Sequence, residues 1–267
     1  MLAAVFGLLA ALTWGGADFA GGLSSRRIGA LMAAAASEFV GLVLLLGLLP
    51  VFGEPLPGGR EIGLALISGV VGVLGLLALY RAIAVGQISV AAPVSALLAA
   101  LLPILFGALS EGFPGWLAVG GFGLALAAVW LISQGELDGR ARLGRLADLR
   151  LALLAGLGFG LYLILIHQAS GEALLWPLVF SRTAGTLTAL VVVLARRLPF
   201  PDLRRGAWAL VLLNGLGDVG GNTFYLLAGQ AGRMDVAAVL SALYPAGTVF
   251  LAWLVLKERI NRPQKAG

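Results

Sequence analysis

The residues most able to do chemistry are polar side chains inside long apolar segments of the sequence. Asn214, Asp218 and Asn222 are spaced four residues apart, so a helix presents all three on one face, and Tyr225 extends that face by about a turn. Carboxylate and amide groups in this arrangement can bind a cation, a proton or a polar solute. The alternative is that the asparagines only join neighbouring helices by hydrogen bonds. We expect the stripe to face a substrate or an ion, because polar groups inside membrane spans line pathways.

Three further charged residues lie in apolar segments: Asp18, Glu38 and Arg182. A charge at the centre of a bilayer costs about 2.5–3.5 kcal/mol on insertion scales, so each of these side chains needs a partner or a function. Glu38 and Arg182 occupy corresponding positions in the internal repeat described below, and their opposite charges predict a structural or gating ion pair. For Asp18, a functional role and a side chain that only reaches towards water are both open.

The sequence contains no pattern for catalysis, for a cofactor or for a metal. It has a single histidine and no cysteine, and no glycine-rich loop precedes a lysine, so thiol chemistry and nucleotide binding are not expected. The net charge of +5 comes from basic residues in short loops between apolar segments, which is an orientation signal of membrane proteins rather than a nucleic-acid site. The expected partners are therefore a small-molecule solute and membrane lipid.

Long apolar helices must position these side chains. Apolar residues make up 60% of the chain and charged residues only 12%, and the mean hydropathy is +1.00, whereas a soluble domain carries about 25% charged residues. A helix of about 20 apolar residues spans a bilayer and satisfies its own backbone hydrogen bonds. The sequence predicts an all-α, polytopic membrane bundle with spans at 2–23, 30–52, 62–85, 88–109, 114–134, 151–169, 173–195, 206–230 and 235–256.

An internal repeat organises these nine predicted spans. The segment VAAPVSAL (90–97) recurs as VAAVLSAL (236–243), with six of eight residues identical at a separation of 146. Ser37, Glu38 and Gly41 recur as Ser181, Arg182 and Gly185 at a separation of 144. Nearly constant separations indicate a duplication. We therefore predict a first repeat at 1–134, a basic loop at 135–150 and a second repeat at 151–267.

The repeat also predicts how the two halves insert. Five spans in each half require the second half to cross the membrane upside down relative to the first, which is the inverted-repeat plan of many secondary transporters. A full apolar helix follows Glu111, whereas nine residues follow Glu258. The fifth helix of the second repeat is therefore expected to be missing from this chain.

The chain resembles the EamA-type transporters of the drug/metabolite transporter superfamily. The resemblance is carried by Trp14-Gly15 in the first span and by the endings LSEGFPGWLAVGG (109–121) and LKERINRPQKAG (256–267), each with a glutamate at the end of a proline-bearing helix. It implies a ten-helix plan, export or exchange of amino acids, other metabolites or drugs, and no enzymatic activity. It also adds Trp14 to the candidate substrate-binding residues.

Repeat, composition and resemblance together predict a secondary transporter that works by alternating access. A proton or solute gradient is the expected driving force, because no nucleotide-binding motif is present, and proton coupling is left open. The alternatives are a membrane-embedded enzyme that modifies lipid, with Asp218 as its acid or base, and a helical scaffold that does not transport. The expected location is a cell membrane, and the bacterial inner membrane in particular.

Loop charge predicts the orientation of the chain. With the N-terminus outside, the outward loops carry only Arg60 and Arg233, and the positive-inside rule favours this arrangement. The resemblance implies the opposite orientation, because similar transporters usually place the N-terminus in the cytoplasm. The inward loops would carry Arg26, Arg27, Arg140, Arg142, Arg145, Arg150, Arg196, Arg197, Arg204, Arg205, Lys257, Arg259, Arg262 and Lys265.

Cysteine labelling tests this orientation, since the chain has no native cysteine. We predict that Leu143→Cys reacts with an impermeant thiol reagent only after cells are permeabilised, because the basic loop lies in the cytoplasm. Leu2→Cys serves as the partner measurement and should react in intact cells. The reverse labelling pattern would assign the opposite orientation.

Overall fold

The computed structural model describes residues 1–84, 88–133, 149–171, 173–198, 207–258 and 261–267, and it consists of α-helices and connecting segments in these ranges. Most of the predicted basic loop at 135–150 lies outside the described residues, as do Arg204, Arg205 and Arg259. The helices are α1 (Leu2–Ile28), α2 (Ala30–Phe52), α3 (Gly59–Ala84), α4 (Ile88–Ser110), α5 (Trp116–Ser133), α6 (Arg150–Ser170), α7 (Leu175–Ala195), α8 (Trp208–Gln230), α9 (Met234–Ser241), α10 (Tyr244–Leu256) and α11 (Arg262–Ala266).

In the part of the chain that the structure describes, eight helical segments are long and apolar enough to cross a membrane, by length and composition. One of them, Met234–Leu256, comprises α9 and α10 together. Within the described residues α8 does not meet this criterion although it is 23 residues long, because its two asparagines and one aspartate lower its hydropathy. The bundle shields this helix, which packs against α1, α2 and α9. The predicted all-α, polytopic membrane fold is confirmed.

The ninth predicted span differs from its prediction as one continuous helix at 235–256. The chain forms α9, turns at Ala242 and Leu243, and then forms α10. Pro245 lies in the first turn of α10 and has no backbone N–H to donate to the preceding turn, so the regular hydrogen-bond ladder is interrupted there. Shorter-range bonds replace it, from the Leu243 N–H to the Leu240 carbonyl at 3.3 Å and from the Ala246 N–H to the Leu243 carbonyl at 3.0 Å.

Helix pairing follows a regular pattern between the first five helices and the later ones. The helix α1 packs along α8, and α3 packs along α6. The contact between α2 and α8 corresponds to the contact between α7 and α3. The contact of α1 with α9 and α10 corresponds to the contact of α6 with α4. In these pairs, the counterparts of α1, α2 and α3 are α6, α7 and α8, and the counterpart of α4 is α9 together with α10. Exchanging each helix for its counterpart turns one contact of a pair into the other.

Glycines allow the closest of these crossings. A Cβ atom on Gly69 of α3 would overlap the Ser181 carbonyl oxygen of α7. Its counterpart 146 residues later, Gly215 of α8, would place a Cβ atom 3.0 Å from the Ser37 carbonyl oxygen of α2. Lipid supplies no hydrophobic force between helices, so close van der Waals packing at small residues holds such pairs together. The two crossings use corresponding residues in the two halves.

We predict that Gly69→Ala lowers the free energy of unfolding by about 1–3 kcal/mol, the usual cost of overpacking a tight interface. The measurement is the midpoint of thermal unfolding in detergent. Gly63→Ala on the same helix is the matched control, because a Cβ atom there meets no other atom within 4 Å. Equal midpoints for the two variants would show that the α3–α7 crossing does not depend on Gly69.

Candidate functional site

A buried arginine lies at the centre of the candidate site. Arg182 of α7 is only 4% exposed, and its Nη1 atom lies 2.9 Å from Glu38 Oε1 of α2. Its Nη2 atom forms an ion pair and a hydrogen bond with Asp218 Oδ2 of α8. One guanidinium therefore pairs with carboxylates from two other helices, so the buried cation is compensated by opposite charge. No group of three or more acidic, histidine or cysteine side chains within the described ranges could hold a metal ion.

The second oxygen of Asp218 is held by neutral donors. Trp14 of α1 donates its indole N–H to Asp218 Oδ1 at 3.0 Å. Asn222 lies one turn further along α8 and donates to the Asp218 carbonyl oxygen at 2.8 Å and to Oδ1 at 3.2 Å. Tyr162 of α6 donates its hydroxyl to Asn222 Oδ1 at 2.5 Å. Side chains from five helices thus form one polar network, which we call the charge cluster: Trp14, Glu38, Tyr162, Arg182, Asp218 and Asn222.

Glycines on the crossing helices make room for these large side chains. The indole of Trp14 occupies the space in which a Cβ atom of Gly221 would lie. A Cβ atom on Gly185 would be 3.0 Å from Glu38 Oε2, and the Arg182 side chain passes Gly41 in the corresponding way. Each bulky polar side chain therefore faces a glycine on a neighbouring helix. The charged side chains can lie at close helix crossings because the glycines leave space for them.

Asp18 of α1 lies beside the charge cluster but outside its hydrogen bonds. The side chain is exposed, and no described residue forms a hydrogen bond or ion pair with it. It is near enough to Asp218 and Tyr244 to interact with both electrostatically. The Tyr244 ring also stands edge-on to Trp14, with 6.3 Å between centroids. An accessible carboxylate thus adjoins two aromatic rings and a second carboxylate.

The predicted polar stripe of α8 does not form a single accessible surface. Asp218 and Asn222 join the charge cluster, but Asn222 is only 2% exposed. Asn214 lies against α1 instead, where Gly21 leaves space for its amide group. Tyr225 is fully buried, donates to the Leu163 carbonyl oxygen at 3.2 Å and packs near Trp14. Direct contact of Asn214 and Tyr225 with a substrate stays a prediction.

Tyr162 and Tyr244 were missed as members of the site. Aromatic residues in spans are so often packing or interface residues that their type alone carries little information. The repeat holds a usable signal for Tyr162, which follows Asp18 at the separation of 144 that also relates Glu38 to Arg182. Tyr244 could not be placed without the break between α9 and α10.

The fold and the cluster define the class of the protein: a multi-pass integral membrane protein with a charged site among its spans. The chain belongs to the EamA-like transporter family, whose sequence profile matches residues 1–134 and 149–267. The membership inferred from the sequence motifs is confirmed, and members of this family are drug/metabolite-type transporters.

Comparison with solved structures agrees with this fold. One crystal structure superimposes with a TM-score of 0.76, at 19% sequence identity, over 98% of this chain and 92% of that chain. At this identity the similarity concerns the fold alone. A search of the curated proteins finds no match.

We predict that Arg182→Gln lowers the free energy of unfolding by about 3–5 kcal/mol, because it leaves two carboxylates without their cation. Glu38→Gln should cost less, since Arg182 keeps its ion pair with Asp218. The double variant should lose less than the sum of the two single losses. Thermal unfolding in detergent measures all three, with Arg81→Gln as the control at an exposed arginine. Strict additivity would show that Glu38 and Arg182 are not coupled.

Proposed function

We propose that this chain is a secondary transporter that moves small solutes by alternating access around the charge cluster. Family membership supports transport in general. The observation that carries the assignment of the site is Asp18, an exposed carboxylate beside a network in which Glu38 and Asp218 share the single cation Arg182. A charged side chain within a span carries a free-energy cost, so an unpaired one indicates a function. Asp18 forms no hydrogen bond or ion pair with the described residues.

We also propose that residues 1–134 and 151–267 are inverted repeats related by an approximate two-fold axis in the membrane plane. The exchanged helix pairs and the corresponding glycine crossings support this organisation. Under that axis the Glu38–Arg182 ion pair joins corresponding positions of the two repeats, close to where both halves meet. A site at such an interface is reached from either side when the halves rock against each other.

The proposed solute class follows from the charges at the site. Asp18, Glu38 and Asp218 carry three negative charges when ionised, whereas Arg182 supplies one positive charge, which leaves an excess of two. Trp14 and Tyr244 add ring faces of the kind that bind ammonium groups. The ammonium group of a cationic amine or of a zwitterionic amino acid would pair with this excess negative charge. A purely anionic solute does not.

Coupling, direction and location complete the proposal. A carboxylate that binds an ammonium group can also bind a proton, so Asp18 provides a means of exchanging one for the other. Efflux across a bacterial inner membrane is the direction and location that agree with this exchange. No specific observation on the described residues favours either alternative, which are a lipid-modifying enzyme and a non-transporting scaffold.

Flux into proteoliposomes tests the function and the solute class together. We predict uptake of labelled amine cations and zwitterionic amino acids, and none of a carboxylate anion of similar size. Asp18→Asn should reduce the uptake of amines by about tenfold or more, since a charge-assisted bond contributes about 1.5–3 kcal/mol. Asp218→Asn should also reduce it while leaving membrane insertion intact.

Glu61→Gln is the matched control, because it removes a carboxylate from the first turn of α3, away from the cluster. Its uptake should equal that of the parent chain. Anion uptake equal to amine uptake would reject the solute class, and normal amine uptake by Asp18→Asn would reject the site. Product formation from lipid extracts without any flux would favour the enzyme alternative.

A further inference from the structure

A glutamate from the first half closes the start of α7 in the second half. Glu54 follows α2, and its carboxylate accepts backbone N–H bonds from Leu174 at 3.1 Å and from Leu175 at 2.8 Å. The indole N–H of Trp176 donates to the Glu54 carbonyl oxygen at 3.0 Å. The helix α7 has no side-chain cap of its own at Leu174. A carboxylate at a helix N-terminus binds the free N–H groups and the positive end of the helix dipole.

A second glutamate makes the same kind of contact with α9. Glu111 follows α4, and its carboxylate accepts the backbone N–H of Met234 at 3.2 Å. Arg233 donates to the Gly112 carbonyl oxygen at 2.6 Å and pairs with the buried carboxylate of Asp235 at 2.7 Å. The hydrogen bonds that Arg233 donates to the Asp235 carboxylate raise the pKa of Arg233 above its usual value. Both glutamates therefore join a loop of the first half to a helix start of the second half.

These two contacts lie at the same end of the bundle. Gln230, at the end of α8, donates to the carbonyl oxygens of Gly171 and Ala173 in the segment before α7. The start of α1 is also here, because a Cβ atom on Gly232 would lie 2.8 Å from the Cβ atom of Ala3. We call this the capped end, defined by Glu54, Glu111, Leu174 and Met234.

At the opposite end, the glutamate that corresponds to Glu111 makes a weaker contact. Glu258 stands 147 residues after Glu111, yet it lies 3.8 Å from Arg26, with the two side chains 53% and 70% exposed. Such an exposed pair contributes little. Asp18, which lies towards this end of α1, is accessible, whereas Asn222 and Tyr225 on the capped side are buried. Between the cluster and the capped end, α8 is therefore buried at Asn222, Tyr225 and Leu226.

We propose that Glu54 and Glu111 are the gate residues of the transport cycle at the capped end. Their carboxylates hold α7 and α9 closed over the cluster, and each cycle must release these bonds to open that side. Because every bond runs from a side chain of one half to backbone N–H groups of the other, it breaks when the halves rock apart and leaves each helix intact. The inference rests on the proposed transport function.

A buried reporter cysteine tests the gate without any solute. Ser241, at the end of α9, is 1% exposed and its hydroxyl has no partner in the described structure, so Ser241→Cys changes little. It lies seven residues beyond Met234, about 10 Å deeper than the capped end. Proteoliposomes carrying Ser241→Cys are treated with an impermeant thiol reagent on the side of the capped end, and the labelling rate is measured.

We expect Glu54→Ala and Glu111→Ala to raise the labelling rate by about tenfold, the effect of losing one charged helix cap. Glu61→Ala, which removes a carboxylate at the same end but no cap, should leave the rate unchanged. Glu54→Gln and Glu111→Gln keep a neutral acceptor and should give intermediate rates. These glutamine variants also decide the matter if an alanine variant does not fold, as judged by size-exclusion chromatography.

Equal labelling rates in the parent chain and in all gate variants would overturn the inference. Measured flux separates this failure from failure of the proposed function. Flux with uniform labelling rates leaves the transporter and removes the gate. Faster labelling in the gate variants, without flux of any tested solute, supports the gate and rejects the proposed solute class.

Discussion

The need to neutralise one guanidinium inside the membrane governs the arrangement of this bundle. Arg182 is buried on α7, and its two carboxylate partners come from α2 and α8. An uncompensated charge at this depth would be costly, so these three helices must stay in contact wherever the chain is inserted. The network then extends through Asp218 to Trp14 on α1 and through Asn222 to Tyr162 on α6. Five helices are thus tied to one charge.

Small residues allow that charge to lie where it does. Hydrogen bonds between helices need backbones to approach closely, and in lipid only packing and polar contacts favour such approach. Gly69 and Gly215 bring α3 onto α7 and α8 onto α2. Gly221 then leaves space for the Trp14 indole. These three glycines therefore set the distances at which the polar side chains meet.

The sequence predicted the class of fold and part of the site, for physical reasons that also explain its failures. Spans follow from apolar length alone, and the Glu38–Arg182 contact follows from opposite charges at corresponding positions of a repeat. Pro245 predicts a kink near Ser241 but not the division into α9 and α10, because a proline indicates a disturbance in a helix and not its size. Glu54 was missed because a loop carboxylate has no period, and its partner is backbone of a segment about 120 residues away. Contacts between a side chain and distant backbone leave no pattern in one sequence.

The polar residues of the site differ at positions that correspond in the internal repeat of the sequence. A separation of 144 relates Asp18 to Tyr162, and a separation of 146 relates Gly72 to Asp218. In one half the ring of Tyr162 packs on Gly72, with a Cβ position 3.1 Å from the ring. In the other, the corresponding residues are two carboxylates that repel each other, and one of them, Asp18, is exposed. Two identical subunits could not make this difference, nor could they place Glu opposite Arg at corresponding positions. Both the buried ion pair and the exposed carboxylate therefore depend on differences in sequence between the two halves.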